Sequence, residues 1–448
     1  MDSFTIAKRI SYINQYRVGY YNPRRDDLEA KEVTVPNRQW HGDEPLTLTF
    51  PGVWDVKMCR MACEGQPGLS EAEIGNVLES PLGTPPLSEL AEKADEVVII
   101  FDDMTRPTRT SQYAQPILET LRGAGIPRDN IRFIIAPGTH GTYGRLDFVK
   151  KLGEEIVDKY QVYNHNPYEM LDYLGETSYG TPVFVNSEVM KCDLKIGIGS
   201  ILFHRLTGFS GGGKIISPGV VGIKTIRYNH GDLGGFGPDS TPHPSTGFLT
   251  CEENVMRLDV EETARMAGLD FKVDAVLNLE RNPVEAYAGD FVATHRRAVE
   301  GAKCWHRCES PEADIVVANS YMRENEPYLS FWPAYNSVKE DGSIVIIAND
   351  PDGDINHWLF NHHGKTTGAS LWGGGPRPLY RGARLILYSP YKFRSLEMRM
   401  GPPETTTWIK AWDDVVEELG KFHGPGSSVA VLPDATSGIP AKALEELE

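Results

Sequence analysis

Short apolar runs recur along this chain, each about the length of one β-strand and each followed by residues that favour a turn or a helix start. From Leu46 the pattern alternates: LTLTF, the helix-like EAEIGNVLES, VVIIFDD, a helical stretch through QPILETLRGAG, and IRFIIAPGTH. Strands that are apolar at every position bury both faces, which a parallel sheet covered by helices provides. A second series starts near DIVVANS and continues through GSIVIIAND and ARLILYSP. The pattern predicts an α/β protein of two α/β domains with largely parallel sheets and the active site in the interdomain cleft. The expected boundaries are an N-terminal arm over 1–44, a first domain over 45–302 and a second over 303–420. The tail 421–448, ending AKALEELE, is expected to return to the first domain as a helix.

Length agrees with this division, since 448 residues are roughly two to three times the usual domain size. The arm is polar and interleaves Tyr12, Tyr16, Tyr20 and Tyr21 with Arg17, Arg24 and Arg25. It reads as a segment packed on the body or on a second subunit of a homo-oligomer. The balance of 45 Lys+Arg against 62 Asp+Glu, net -17, argues against nucleic-acid or anionic-membrane partners, both of which it would repel. A small anionic substrate stays compatible if basic residues gather locally. No apolar stretch is long enough to span a bilayer and the first residues lack the apolar core of a signal peptide, which predicts a soluble, cytoplasmic protein. Two of the six cysteines, Cys304 and Cys308, flank His306, and Cys59 and Cys63 share the same three-residue gap. That gap is wider than the usual zinc knuckle, so buried, non-ligand thiols are expected.

Three polar motifs stand where apolar strands end, the position at which open α/β sheets bind ligands. Asp103-Met-Thr105-Arg106-Pro107-Thr108 can offer amides, hydroxyls and a planar guanidinium to a phosphate or carboxylate; an N-cap cluster with a surface arginine would look the same. His140 lies between Gly138 and Gly141, where a loop histidine can be catalytic or structural. His204 through Lys214 joins an imidazole, a run of glycines and an amine. Gly208 to Lys214 satisfies G-x-x-x-x-G-K, but Ile215 stands where a nucleotide hydrolase needs Ser or Thr to hold magnesium. A phosphate-loop ATPase or kinase is therefore the second reading.

In combination these motifs resemble the lactate racemase family, the nickel-pincer-nucleotide-dependent racemases and epimerases of 2-hydroxy acids. The resemblance runs from about Leu46 to the C-terminus and rests on four elements. Asp103, Thr105, Arg106 and Pro107 match D-x-T-R-P; Gly138 to His140 match G-T-H; His204 through Gly219 match H-x-x-x-G-F-S-G-G-x-K-x-x-x-P-G without a gap; His230 falls sixteen residues after Lys214. The resemblance implies a nickel-pincer nucleotide, a pyridinium mononucleotide with thioamide and thiocarboxylate arms, tethered at Lys214 with nickel bound by His230. It implies cofactor contacts from Asp103, Thr105, Arg106, Ser210, Gly211 and Gly212, and dependence on cofactor-synthesis proteins. It also implies two catalytic histidines, His140 and His204. One takes the hydroxyl proton as hydride leaves for the cofactor, a 2-keto acid forms, and the other donates a proton as hydride returns to the opposite face. A relative that binds ligand without catalysis is a third reading.

One region departs from the family. Lactate-specific members are expected to carry Tyr-Gln-x-x-Lys in the second domain, where this chain has Tyr328-Leu-Ser-Phe-Trp332. The substrate expected is therefore a 2-hydroxy acid larger than lactate, such as the aldonic acid gluconate, held by Arg106, Arg323 and Tyr328 with Trp332 as an aromatic wall. The polar neighbours Asn325 and Glu326 could bind further hydroxyls. His357, His362 and His363, followed by GASLWGGGPRP, read as an active-site or solvated loop in preference to a separate metal site.

Overall fold

In a computed structural model of the chain, the described residues are 29–236, 241–355, 380–393 and 406–447, with 359, 396, 397, 400 and 401 besides. Two six-stranded sheets carry the fold. The first runs Pro283–Gly289, Phe271–Leu277, Leu194–Ser200, Val97–Asp102, Ile131–Ala136 and Gln161–Asn164, with all neighbours parallel except the first pair. The second runs Thr406–Ile409, Arg384–Tyr388, Val338–Ile347, Ala313–Asn319, Ser428–Leu432 and Asp55–Met58, parallel throughout. The unbroken apolar runs have the reason anticipated for them. Val97, Ile99 and Phe101 face Tyr113, Ile117 and Leu121 of the helix Ser111–Gly123. Val98 and Ile100 face the opposite layer with Val185 and Ile216. The helix Glu71–Glu79 starts where Ser70 and Glu73 form a reciprocal capping box. Among the described residues no helix is long and apolar enough to cross a membrane.

The structure differs from the expected boundaries at both ends. Asp55–Met58 pairs with Ser428–Leu432 at the edge of the second sheet, and Lys31–Val35 forms a hairpin with Leu46–Phe50. Val35, Leu48, Phe50 and Trp54 pack under that sheet with Val317, Val345 and Trp412. Residues 31–58 thus belong with the second unit, although sequence grouped 45–58 with the first. The tail divides: Ser428–Leu432 is a strand of the second sheet, whereas Ile439 and Leu444 pack with Ile201, Phe203 and Ala298 of the first unit. Strand partners so distant in sequence leave no local periodicity. The tyrosines and arginines of the arm lie outside the described residues.

The chain crosses from the second unit to the first after Met58 and returns near Cys308, and the two crossings run side by side. Ala62 N–H donates to Arg307 C=O at 3.3 Å, Cys63 N–H to Trp305 C=O at 2.9 Å, and Met61 bridges Cys308. Cys59, Cys63 and Cys308 are buried beside this ribbon, and burial pushes the thiols of Cys59 and Cys63 up to about 11 and about 12. His306 is buried with Nε2 2.9 Å from Leu277 O.

Candidate active site

The three central parallel strands of the first sheet end side by side, and each releases one of the polar motifs into a shared cavity of about 120 Å³. Asp103, Thr105 and Arg106 follow Val97–Asp102; Gly138 to His140 follow Ile131–Ala136; His204, Ser210, Gly211 and Lys214 follow Leu194–Ser200. His230 lines the same space. Residues spread over more than a hundred positions are thus brought together by strand order.

Asp103 is the hub of one wall. Its Oδ2 lies 2.5 Å from His140 Nδ1 and accepts from Tyr143 Oη at 3.0 Å, while Oδ1 accepts from Thr105 N at 3.1 Å and Thr105 Oγ1 at 2.5 Å. Burial opposes its charge, but His140, Arg106 and the Thr105 hydroxyl outweigh that and hold the carboxyl well below its ordinary range. An ionised carboxylate only accepts, so His140 carries its proton at Nδ1 and, as a neutral ring, has its acceptor lone pair at Nε2.

His204 is oriented differently. The pair Phe203–His204 runs antiparallel to Thr207–Phe209, and the tight hairpin folds the ring back onto its own turn. Nδ1 accepts from Leu206 N at 3.2 Å and Thr207 N at 3.3 Å, which leaves the proton of the neutral ring at Nε2, 3.5 Å from Lys214 Nζ. Burial and the cations Lys214, Arg106 and Arg323 depress the His204 pKa well below its usual value. Burial with Arg257, Arg106 and Arg323 likewise depresses the Lys214 pKa well below its usual value, which favours the uncharged, nucleophilic form of its amine. An acidic chain has gathered its cations here.

The glycine loop is held by groups that sequence did not flag. Gly208 has φ +75, and a Cβ there would lie 2.1 Å from Thr250 O. Gly212 N–H donates to Asp274 Oδ2 at 2.8 Å, and Asp274 is itself paired with Lys272 at 2.6 Å. Arg257 Nη1 donates to Gly211 O at 3.0 Å, and His295 Nε2 lies 3.0 Å from Ser210 O. Ser210 Oγ is taken up by Leu202 N and Ser200 O, both at 2.8 Å, so its hydroxyl shapes the loop. Ile215 is buried in a single turn of 3-10 helix, Gly212–Ile215, and the next helix spans only Ile223–Arg227. A phosphate loop would instead open a long helix at its lysine.

His230 sits in a π-helical turn, Tyr228–Leu233, a form that recurs at functional sites. Its Nδ1 lies 3.1 Å from Ile226 O, and burial with Lys214 pushes its pKa down to about 3. The neutral ring donates from Nδ1 to that carbonyl and keeps its Nε2 lone pair, the state of a metal-ligating histidine.

The second unit contributes Glu326 to the wall, 3.1 Å from Arg106 Nη1 and 2.7 Å from Tyr328 Oη. Arg323 is buried nearby with Nη2 donating to Phe203 O at 3.0 Å, and its Nε and Nη1 have no hydrogen-bond partner. Trp332 does not reach the cavity wall. It stacks on Phe248 at 4.5 Å and meets Phe203 at 4.9 Å, behind the hairpin that carries His204. The aromatic wall expected of it is thus a packing contact between units. His357, His362, His363 and the glycine-rich stretch after them lie outside the described residues.

Residues 41–235 match the family model described as the lactate racemase N-terminal domain. A curated lactate racemase of Lactiplantibacillus plantarum is 30% identical over 293 residues, 64% of this chain and 68% of that protein. One from Thermoanaerobacterium thermosaccharolyticum is 30% identical over 287 residues, 62% of this chain and 66% of that protein. The solved lactate racemase apoprotein from Thermoanaerobacterium thermosaccharolyticum superposes with a TM-score of 0.70 at 21% identity, covering 92% of this chain and 100% of that one. A Thermotoga maritima protein superposes at 0.60 and 18% identity, over 84% and 99% of the two chains. These two likenesses concern the fold.

Proposed function

The chain belongs to the lactate racemase family, and from that premise we propose that it is an isomerase that inverts the C2 hydroxyl centre of a 2-hydroxy acid larger than lactate. The observation that carries this reading is the convergence of two imidazoles held in opposite tautomers, a buried lysine and a histidine whose Nδ1 is tied to a backbone carbonyl on one cavity.

Inversion of a hydroxyl-bearing carbon requires a proton to leave one hydroxyl and be supplied to the other. His140 is arranged to accept at Nε2, and Asp103 stabilises the imidazolium that results. His204 presents an N–H at Nε2 to the carbonyl oxygen of the 2-keto acid. Arg106 and Arg323 supply the positive field that draws a carboxylate into an otherwise acidic protein. The donor set fits a tethered nickel-pincer nucleotide: Lys214 is a buried amine, its pKa depressed toward the uncharged form that an amide-type link requires, and His230 offers a lone pair to a metal. When bound, that group supplies the hydride acceptor and donor at C2.

Intact-protein mass spectrometry with metal analysis, after expression with and without cofactor-synthesis proteins, tests the reading. A mass adduct on Lys214 with bound nickel supports it; failure to acquire either under conditions that charge a known relative sinks it. Exchange assays on gluconate, phenyllactate and malate test the substrate, and turnover of phenyllactate but not gluconate rejects an aldonic acid.

A further inference from the structure

We propose that Glu326 is a specificity-determining residue: it selects a 2-hydroxy acid bearing a hydroxyl on the carbon beside the reacting centre and rejects one bearing a second carboxylate there. This rests on the 2-hydroxy-acid reading above. Glu326 is 7% exposed and lines the cavity, yet it comes from the second unit while the reacting histidines come from the first. Its Oε2 is 3.1 Å from Arg106 Nη1, and its Oε1 accepts from Tyr328 Oη at 2.7 Å.

Two consequences follow from charge. Burial would protonate this carboxyl, but Arg106, His140 and Arg323 keep it ionised, and an ionised carboxylate has only acceptor sites, about four of them. Arg106 and Tyr328 account for two. A ligand that meets the remainder must donate. An ammonium would do so, but Arg106 lines the space and Arg323 is buried beside it, and their charges disfavour another cation. A neutral hydroxyl is the complement that remains. A second carboxylate would face Glu326 where water cannot screen the repulsion. Arg106 does not remedy this, because its one charge is already shared between Glu326 and the carboxylate at C1 of the substrate.

The test compares the loaded wild type with Glu326→Gln and Glu326→Asp on glycerate, gluconate, lactate and malate, together with calorimetric binding of glycerate and malate to the protein without cofactor. The wild type should favour glycerate and gluconate over lactate and malate in kcat/KM. Loss of a charge-assisted hydrogen bond predicts that Glu326→Gln lowers the gluconate-to-lactate ratio about 10- to 100-fold, mainly through KM. The same variant should raise malate relative to lactate by about tenfold. Glu326→Asp keeps the charge and should keep rejecting malate. Equal losses on all four acids in Glu326→Gln, or a wild type that prefers malate, overturns the proposal. Absence of exchange on every acid by nickel-loaded protein rejects the activity reading instead. Binding then decides for Glu326, and equal glycerate-to-malate ratios in wild type and Glu326→Gln overturn it.

Discussion

Replacing Asp103 by Asn changes one atom and should remove the base without emptying the site. The amide oxygen can keep the two bonds from Thr105, but the new NH2 then faces His140 Nδ1 and Tyr143 Oη, where the carboxylate had accepted. His140 is driven to accept at Nδ1 and to carry its proton at Nε2, so the lone pair that should take the hydroxyl proton is gone. The imidazolium also loses its counter-charge. With charge centres about 4 Å apart and an effective dielectric near 20, that interaction is about 4 kcal/mol, roughly a thousandfold in rate. We expect kcat for the best 2-hydroxy acid to fall by about that factor, measured by chiral chromatography of the product, while the adduct on Lys214 and the nickel content stay at wild-type levels. A kcat within about tenfold of wild type, with cofactor loading intact, would refute the assignment of His140 as an Asp103-oriented base.

Four further outcomes can be checked. Lys214→Ala should fold and show no mass adduct under loading conditions; an adduct that persists places the tether elsewhere. His230→Ala should keep the adduct on Lys214 but lose nickel by metal analysis. Gly208→Ala must place a Cβ 2.1 Å from Thr250 O at φ +75, so it should cost about 2 kcal/mol or more in urea unfolding and reduce turnover by displacing His204. Glu324 is buried against Asp350, with backbone N–H bonds from Arg38 and Gln39, and its pKa is raised from 4.5 to about 8. The folded state therefore holds a proton that the unfolded state has lost between those values, so this contribution is complete below pH 4.5 and lost as pH rises toward 8. The slope is about 1.4 kcal/mol per pH unit, and Glu324→Gln should flatten the melting-temperature profile across that window; an unchanged slope refutes the assignment.

The parts of the fold and site that were legible share one property: their signal is local. Val97 to Phe101 is buried on both faces, and its composition shows this directly. Each motif follows its own strand, so Asp103, His140 and His204 could be assigned to strand ends one at a time. Their convergence depends on the strand order, which follows from pairings such as Asp55–Met58 with Ser428–Leu432 that no short window contains. The anchors of the glycine loop were hidden for the same reason. Asp274 and Lys272 interrupt a strand that otherwise reads as apolar, and a buried charge in such a strand was the available clue. Arg257 lies on a helix with an ordinary polar pattern, and nothing local marks it as buried. Trp332 is ambiguous in sequence because an aromatic beside polar residues suits a ligand wall and an interdomain stack equally well, and its contacts with Phe248 and Phe203 favour the stack.

The paired crossings at residues 61–63 and 305–308 give the molecule the mechanics of a door on a single hinge pin. One linker would let the two units twist, slide and tumble; these two are hydrogen-bonded to each other and to the tail's own crossing, where Ile439 N–H donates to His306 C=O at 2.8 Å, and the ribbon leaves bending across its line as the soft direction. Glu326 and Arg106 stand on opposite leaves of that door, so their separation reads out the angle of opening. Distance labels placed on the two leaves should therefore report one swing coordinate.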